Sequence, residues 1–266
     1  MPHPLGFITL LTDFGERDWF VASMKGVILS INPQATIVDL SHQIPSHAVE
    51  DGAYVLRSCY RDFPNGTVHL AVVDPGVGSA RRPLVVKSSR YFFVAPDNGL
   101  LTYIFDEESE VEIREITDKR YRLESEGQTF DGRDLFAPVA AWLTKGQPIS
   151  SFGPIIDDPV KQMIVEPLWR NGVLVGQIEY VDRFGNLISN LTSKHIRGFQ
   201  SMAENRRRTI RIGGLVIEGL VPSYSDGAEH SPCALMNSNG NLEVFLKNNN
   251  AAQSLCIGVG AEILLS

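Results

Sequence analysis

The first half of the chain alternates strand-sized apolar runs with helix-periodic ones, and four of the strand-sized runs finish on or beside an aspartate. FITLLTD reaches Asp13, TIVDLS carries Asp39, TVHLAVVDPG reaches Asp74 and YFFVAPDNG reaches Asp97. Between them, Phe20, Met24, Val27, Ile28 and Ile31 mark one face of a helix, and Val49, Ala53 and Leu56 mark a second. PLVVKS reads as a further strand, NGLLTYIF as a short helix, and Arg133 to Thr144 as another helix. This alternation predicts an α/β layered domain with a mostly parallel sheet. In open α/β sheets, ligands bind outside the carboxyl ends of the strands, so aspartates in those positions can converge on one crevice. Aspartate is also a common turn and cap residue, and for any single one of the four that reading stays open.

From about Gly172 the pattern changes. VLVGQIEYVD, NLISNL, TIRIGGLVIEG, CALMNS, LEVFL and AEILLS are short strand-like runs separated by Gly, Asn and Pro turns, the signature of a small β domain. A boundary is expected near IIDDPVKQMIVEP, giving an α/β domain over residues 1–165 and a β domain over 170–266. The length of 266 residues suits two domains, and 43% hydrophobic against 21% charged residues suits a packed interior. Asn248, Asn249 and Asn250 read as a surface turn.

The net charge of -7 argues against general nucleic-acid binding, which depends on neutralising phosphates. The only dense basic run, Arg206-Arg207-Arg208, fits a solvated loop or edge strand. Cys59, Cys233 and Cys256 are odd in number, far apart and without a CxxC spacing, which suits a reducing cytoplasm better than a disulfide framework or zinc site. No signal peptide and no membrane span are expected from the pattern of the first residues.

A crevice of carboxylates suits ribose hydroxyls, a cationic ligand or a metal. Asp39, His42 and His47 match no standard metal spacing, and DPGVGSARR is neither a P-loop nor a dinucleotide fingerprint. In that turn, Gly76 and Gly78 permit a tight bend, and Asp74 and Arg81 can meet across it as a reactive or a structural pair. In FDGRDLFAPVAAWL, Asp131, Arg133 and Asp134 stand directly before an apolar helix pattern. Asp131 there is open to two readings, an N-cap with Asp134 three positions on, and a residue of a reaction site.

Taken together, TDFGERD, VVDPGVGSARRPL, VAPDNGLLT, TFDGRDLFAPVAA, VDRFGNLISN and the NSNGNLEV segment resemble, in order, the SAM hydroxide adenosyltransferases, relatives of fluorinase and chlorinase. The resemblance implies a Rossmann-like N-terminal domain and a C-terminal β-barrel in a homotrimer, with each active site between one subunit's N-terminal domain and its neighbour's C-terminal domain. It implies that water or hydroxide displaces methionine from C5′ of S-adenosyl-L-methionine (SAM), giving adenosine and L-methionine without metal or cofactor. It assigns Asp74 and Arg81 to the family's Asp-Arg-His set, Asp13 to the ribose, and Asp182 and Asn186 to the methionine amine and the adenine edge. Phe184 and Tyr224 become aromatic walls, and Ser238, Glu243 and Leu246 further substrate-binding positions.

The chain departs from that family in places. The usual motif is Phe-His-Gly-Arg-Asp, and here Asp131 stands in the histidine's position, so the set reads Asp-Arg-Asp. Asn239 and Asn241 replace residues that are commonly aromatic, and Lys247 stands where Asn is frequent. Loss of turnover at Asp131 would leave a SAM- or adenosine-binding protein. The halogenating relatives lack the Asp and Arg of the DPGVG turn, which this chain keeps, and fluorinase has an insertion where Arg82 to Val94 is short. Water is therefore expected as the nucleophile in place of halide.

Overall fold

The computed structural model describes residues 3–127, 129–202 and 208–266. Arg206 and Arg207 of the basic run therefore lie outside the described residues. The chain divides into two compact units, Met1–Gln162 and Met163–Ser266.

The first unit is mixed α/β. Its elements in order are β1 (Phe7–Thr12), α1 (Phe20–Ile31), β2 (Thr36–Ser41), α2 (Val49–Cys59), β3 (Val68–Val72), β4 (Pro83–Lys87), β5 (Phe92–Pro96), α3 (Thr102–Glu107), β6 (Glu112–Glu115) and α4 (Ala137–Thr144). The sheet runs β2-β1-β3-β5-β4-β6. The four strands from β2 to β5 are mutually parallel, whereas β4 lies antiparallel to both β5 and β6. The expected mostly parallel sheet is thus parallel on one side and antiparallel on the other. The short Ser88–Tyr91 link is the reason, since Ser88 N–H donates to Tyr91 O at 2.9 Å and a hairpin cannot join parallel strands.

Alternation along the strands sends side chains to two faces. Ile8, Leu10, Val68, Leu70 and Val72 pack with Met24 and Ile28 of α1 and the alanines of α4; Leu11, Ala71 and Val73 pack with Ala53 and Leu56 of α2. Helices thus cover both faces. Gly52 of α2 permits close approach: an added Cβ would lie 2.9 Å from Leu100 Cδ1 and 3.0 Å from Val73 Cγ2. The chain leaves β1 over one face to reach β2 and returns over the other to reach β3. The sheet therefore reverses its winding at β1, and the carboxyl ends of β1 and β3 flank that point. Asp13 follows β1 directly, and Asp74 lies two residues beyond β3.

The second unit is antiparallel. It comprises β7 (Leu168–Arg170), β8 (Val173–Val181), β9 (Leu187–Thr192), α5 (Ser193–Met202), β10 (Thr209–Ile212), β11 (Leu215–Glu218), β12 (Pro232–Met236), β13 (Asn241–Leu246), α6 (Ala251–Leu255) and β14 (Glu262–Leu265). The order β11-β10-β14-β8-β9-β13-β12, with β7 beside β8, curls around a core that includes Leu174, Ile178, Leu191, Ile212, Val244 and Ile263. Val221 N–H, just past β11, donates to Ala234 O of β12 at 2.9 Å, so the two edges nearly close a barrel-like sheet. Long β8 supplies this curvature by serving β14 and β7 at one end and β9 at the other.

Among the described residues, no helix is long and apolar enough to cross a membrane. Cys59, Cys233 and Cys256 are all unpaired.

Candidate active site

In the first unit, the DPGVG turn folds Arg81 back onto the aspartate that begins it. Arg81 Nε donates to Asp74 Oδ2 at 2.9 Å, and Nη2 lies 2.6 Å from the same oxygen. Arg81 Nη2 also donates to Asp131 Oδ2 at 2.5 Å. The three side chains are nearly buried. Burial alone would lower the Arg81 guanidinium, but hydrogen bonds and attraction from Asp74 and Asp131 outweigh it and hold its pKa above the ordinary value. The glycine at 76 keeps this turn tight: a Cβ there would stand 3.2 Å from Arg81 Cγ and 3.6 Å from Asp74 Oδ1.

The capping reading of Asp131 fails. Gly132–Phe136 forms a π-helical turn leading into α4, and Asp131 precedes it with no side-chain bond to a helix N–H. Its carboxylate turns to arginines instead: Oδ2 to Arg81, and Oδ1 to Arg122 Nη2 at 2.6 Å. Such single π turns recur at functional sites because the inserted residue re-aims its neighbours. Arg133 and Asp134 pair with each other at 2.6 Å, with Arg133 over the Phe130 ring, so these two charges are structural.

One oxygen remains outside this pairing. Asp74 Oδ1 is buried and has no hydrogen-bond partner among the described residues. Asp74 and Asp131 both line a cavity of about 130 Å³ whose other walls include Phe14, Phe20, Val77 and Phe130. Phe14, Phe20 and Phe130 pack edge-on or tilted, 5.2–5.8 Å apart, which gives the carboxylates an apolar surround. A larger polar cavity of about 870 Å³ lies along Arg81, Arg122 and Asp131. Asp13 lines neither. Its Oδ2 accepts from His47 N–H at 2.9 Å, which fixes the carboxylate at the end of β1.

The other two strand-end aspartates are structural. Asp97 holds Arg82 at 2.7 Å and accepts from Val160 N–H at 2.8 Å. Asp39 lies within β2 between Lys25 at 2.6 Å and His42 at 3.1 Å; burial opposes its charge, but those bonds and the neighbouring positive charges hold its carboxyl below the usual aspartate value. Among the described residues, no group of three or more His, Cys, Asp or Glu is arranged to hold a metal ion.

In the second unit, Asp182, Phe184, Asn186, Tyr224 and Leu246 line one cavity of about 880 Å³. Asp182 closes its own loop: Oδ1 accepts from Phe184 and Asn186 N–H at 2.9 and 2.8 Å, and Oδ2 from Asn186 Nδ2 at 2.9 Å. Those bonds hold Phe184 outward with 74% of its surface exposed. Gly185 has φ +83°, and a Cβ there would sit 2.1 Å from Asn250 Cγ. Glu243 lies buried beneath the wall, accepting from Tyr224 Oη at 2.7 Å and Asn237 Nδ2 at 3.1 Å. Ser238 is exposed in the β12–β13 turn and does not line this cavity. Asn239 is exposed in the same turn, while Asn241 Nδ2 donates to Ser189 O at 2.9 Å and so ties β13 to β9. Lys247 reaches Ser225 O at 3.1 Å and Glu229 at 3.2 Å along the cavity wall.

Sequence reasoning missed Arg122, which sits in a loop stretch with no periodic or motif signal. It also read Asn248, Asn249 and Asn250 only as a turn. Asn249 N–H does bond back to Leu246 O, but all three line the cavity, and Asn250 Oδ1 caps α6 through Gln253 N–H at 2.8 Å. The Asn-Ala helix start was the signal available for Asn250.

A family model for the SAM hydroxide adenosyltransferase N-terminal domain matches residues 8–153, and one for the C-terminal domain matches residues 176–264. The chain belongs to the SAM hydroxide adenosyltransferase family. An (R)-S-adenosyl-L-methionine hydrolase from Methanocaldococcus jannaschii is 35% identical to it, over 97% of this chain and 95% of the relative. A fluorinase from Actinoplanes sp. (strain N902-109) is 29% identical, over 88% of this chain and 89% of the relative. The crystal structure of an uncharacterized conserved protein from Thermotoga maritima matches with a TM-score of 0.89 and 33% identity, over 97% of this chain and 99% of that one. Within this family, Asp131 and its arginines are where the chain's own geometry adds most.

Proposed function

We propose that this protein hydrolyses S-adenosyl-L-methionine at C5′, giving adenosine and L-methionine. The observation that carries the reading is Asp74, which lines the small cavity: one oxygen anchors Arg81, and the other is buried without a hydrogen-bond partner among the described residues. A water held there donates one hydrogen to Asp74 Oδ1 while Arg81 stabilises the oxygen as it gains negative charge. The oxygen forms a bond to C5′ as the C5′–sulfur bond breaks. The sulfur keeps the electron pair and becomes the neutral thioether of methionine, and the water's proton passes to Asp74 and then to solvent. The sulfonium is already a good leaving group, so alignment is the main task and the proposal calls for no metal or cofactor.

Asp13, fixed by His47, has a carboxylate suited to the two ribose hydroxyls. Asp182, Asn186, Phe184, Tyr224, Leu246, Glu243 and Ser238 remain the proposed substrate-binding positions of the second unit; for Ser238 the exposed turn gives the least support. The proposal extends to a Rossmann-like first unit, a β-barrel second unit, and a cytoplasmic homotrimer whose sites combine one subunit's first unit with a neighbour's second. The unpaired cysteines suit that compartment. A halide nucleophile is disfavoured, because Arg81 is already paired with two carboxylates, Asp74 and Asp131, and both of those residues line the small cavity.

The test is incubation of the purified protein with SAM and identification of products by chromatography and mass. Adenosine and methionine in equal amounts support the proposal. SAM binding by calorimetry with no turnover would make this a binding protein, and a 5′-halo-adenosine in high halide would make it a halogenase.

A further inference from the structure

Asp131, at the position where the family resemblance implies histidine, brings a negative charge to the site, and the structure places a second guanidinium against it. The four side chains form an alternating row, Asp74–Arg81–Asp131–Arg122, whose formal charges sum to zero. Asp131 has each carboxylate oxygen on a different guanidinium, with Oδ1 to Arg122 at 2.6 Å. Arg122 has no second ion-pair partner among the described residues, and a third of its side chain is exposed along the polar cavity. A carboxylate with both oxygens in charge-assisted bonds is fixed in place and makes a good clamp. Asp74, with one oxygen unpartnered, is left as the group that receives the proton. Without Arg122, Asp131 Oδ1 would be stranded and two carboxylates would compete for one guanidinium. A neutral histidine at the same position would need no such counter-charge.

We infer that Arg122 is a positioning residue: by holding Asp131 Oδ1 it fixes Asp131, and through it the Arg81 guanidinium, and so makes an aspartate workable at this position. The inference rests on the hydrolase reading above. Arg122 acts through Asp131, whose Oδ1 it holds.

The test compares steady-state SAM hydrolysis by the wild type, Arg122→Gln, Arg122→Lys, Asp131→His and the double variant Arg122→Gln with Asp131→His, each checked for folding by circular dichroism. Arg122→Gln lowers kcat about tenfold with KM unchanged, the size expected for one charge-assisted bond behind a reacting group. Arg122→Lys restores most of the loss, and also serves if the glutamine variant does not fold. In the Asp131→His background, Arg122→Gln costs less than about twofold, since its partner is gone. An undiminished kcat in Arg122→Gln, or the same loss in both backgrounds, overturns the inference. A wild type that releases no adenosine removes the hydrolase reading and this role with it, whereas an active wild type indifferent to Arg122 removes this role alone.

Discussion

The two units carry their polar groups in opposite ways. In the first, charge is buried and answered by charge: Asp74, Arg81 and Asp131 are nearly inaccessible, and Asp74 and Asp131 line a small aromatic-walled cavity. In the second, the carboxylate of Asp182 is held within its own loop, and the exposed wall residues include two aromatics, with Phe184 at 74% and Tyr224 at 48% exposure. Fixed charges in a dry setting act on the reacting atoms and tolerate little displacement. Exposed rings contribute area and stacking, which hold a flat ligand without acting on its bonds. On the proposed function, rate belongs to the first unit and affinity to the second.

The sharpest break in that contrast is Arg81→Ala, which should cost about a thousandfold in kcat, the upper range for removing one preorganised donor. Adenosine release near the wild-type rate would take Arg81 out of the chemistry. Asp74→Asn keeps the shape but removes the proton acceptor, and about a hundredfold loss is expected, measured in the same assay. Phe184→Ala works from the other side: KM rises about tenfold while kcat stays within about twofold, as loss of a stacking wall predicts. A fall in kcat at unchanged KM would erase the division between the units.

The smallest effect is a pH dependence of stability at Glu243. Burial raises its carboxyl pKa; hydrogen bonds from Tyr224 and Asn237 oppose that rise, and the charge of Asp182 adds to it, with a net shift above the ordinary 4.5. A raised folded value means the fold prefers the protonated form. Its stabilisation is present below the unfolded value and is lost as pH rises through the folded one. The melting temperature of Glu243→Gln relative to wild type should therefore climb as pH rises from the ordinary carboxylate value through the raised folded one. A flat difference would mean that the Tyr224 and Asn237 bonds fully offset burial and the Asp182 charge, and a falling one that they outweigh them.

Much of the fold was legible because burial imposes periodicity. FITLLTD became β1, and the face predicted from Met24 and Ile28 is the face of α1 that packs on the sheet. β6 and β7 were not legible: EIRE is only half-buried and LWR is exposed, so neither has the apolar signal of a core strand. Strand direction was legible where helices alternate with strands, as from β1 to β3, and was missed at the short Ser88–Tyr91 link, which turns β4 antiparallel. For the site, the DPGVG turn announced the meeting of Asp74 and Arg81 because glycines, an aspartate and an arginine stood within one bend. Arg122 gave no such notice, since a loop side chain that reaches a carboxylate through space leaves no pattern in the chain. Asp131 showed the converse: its place before a helix suggested a cap, and the two guanidiniums outcompeted the helix N–H groups for its oxygens.

The left-handed glycine at 185 has a consequence for how this protein meets a ligand. The Asn250 side chain occupies the space a Cβ would take there, caps α6 at the same time, and Ala252 N–H reaches back to Gly185 O at 2.9 Å. A five-residue helix has no independent stability in water. Loop and helix therefore order together or not at all. The entropy of shaping that wall is lost once, as the chain folds, and is not charged again against each binding event.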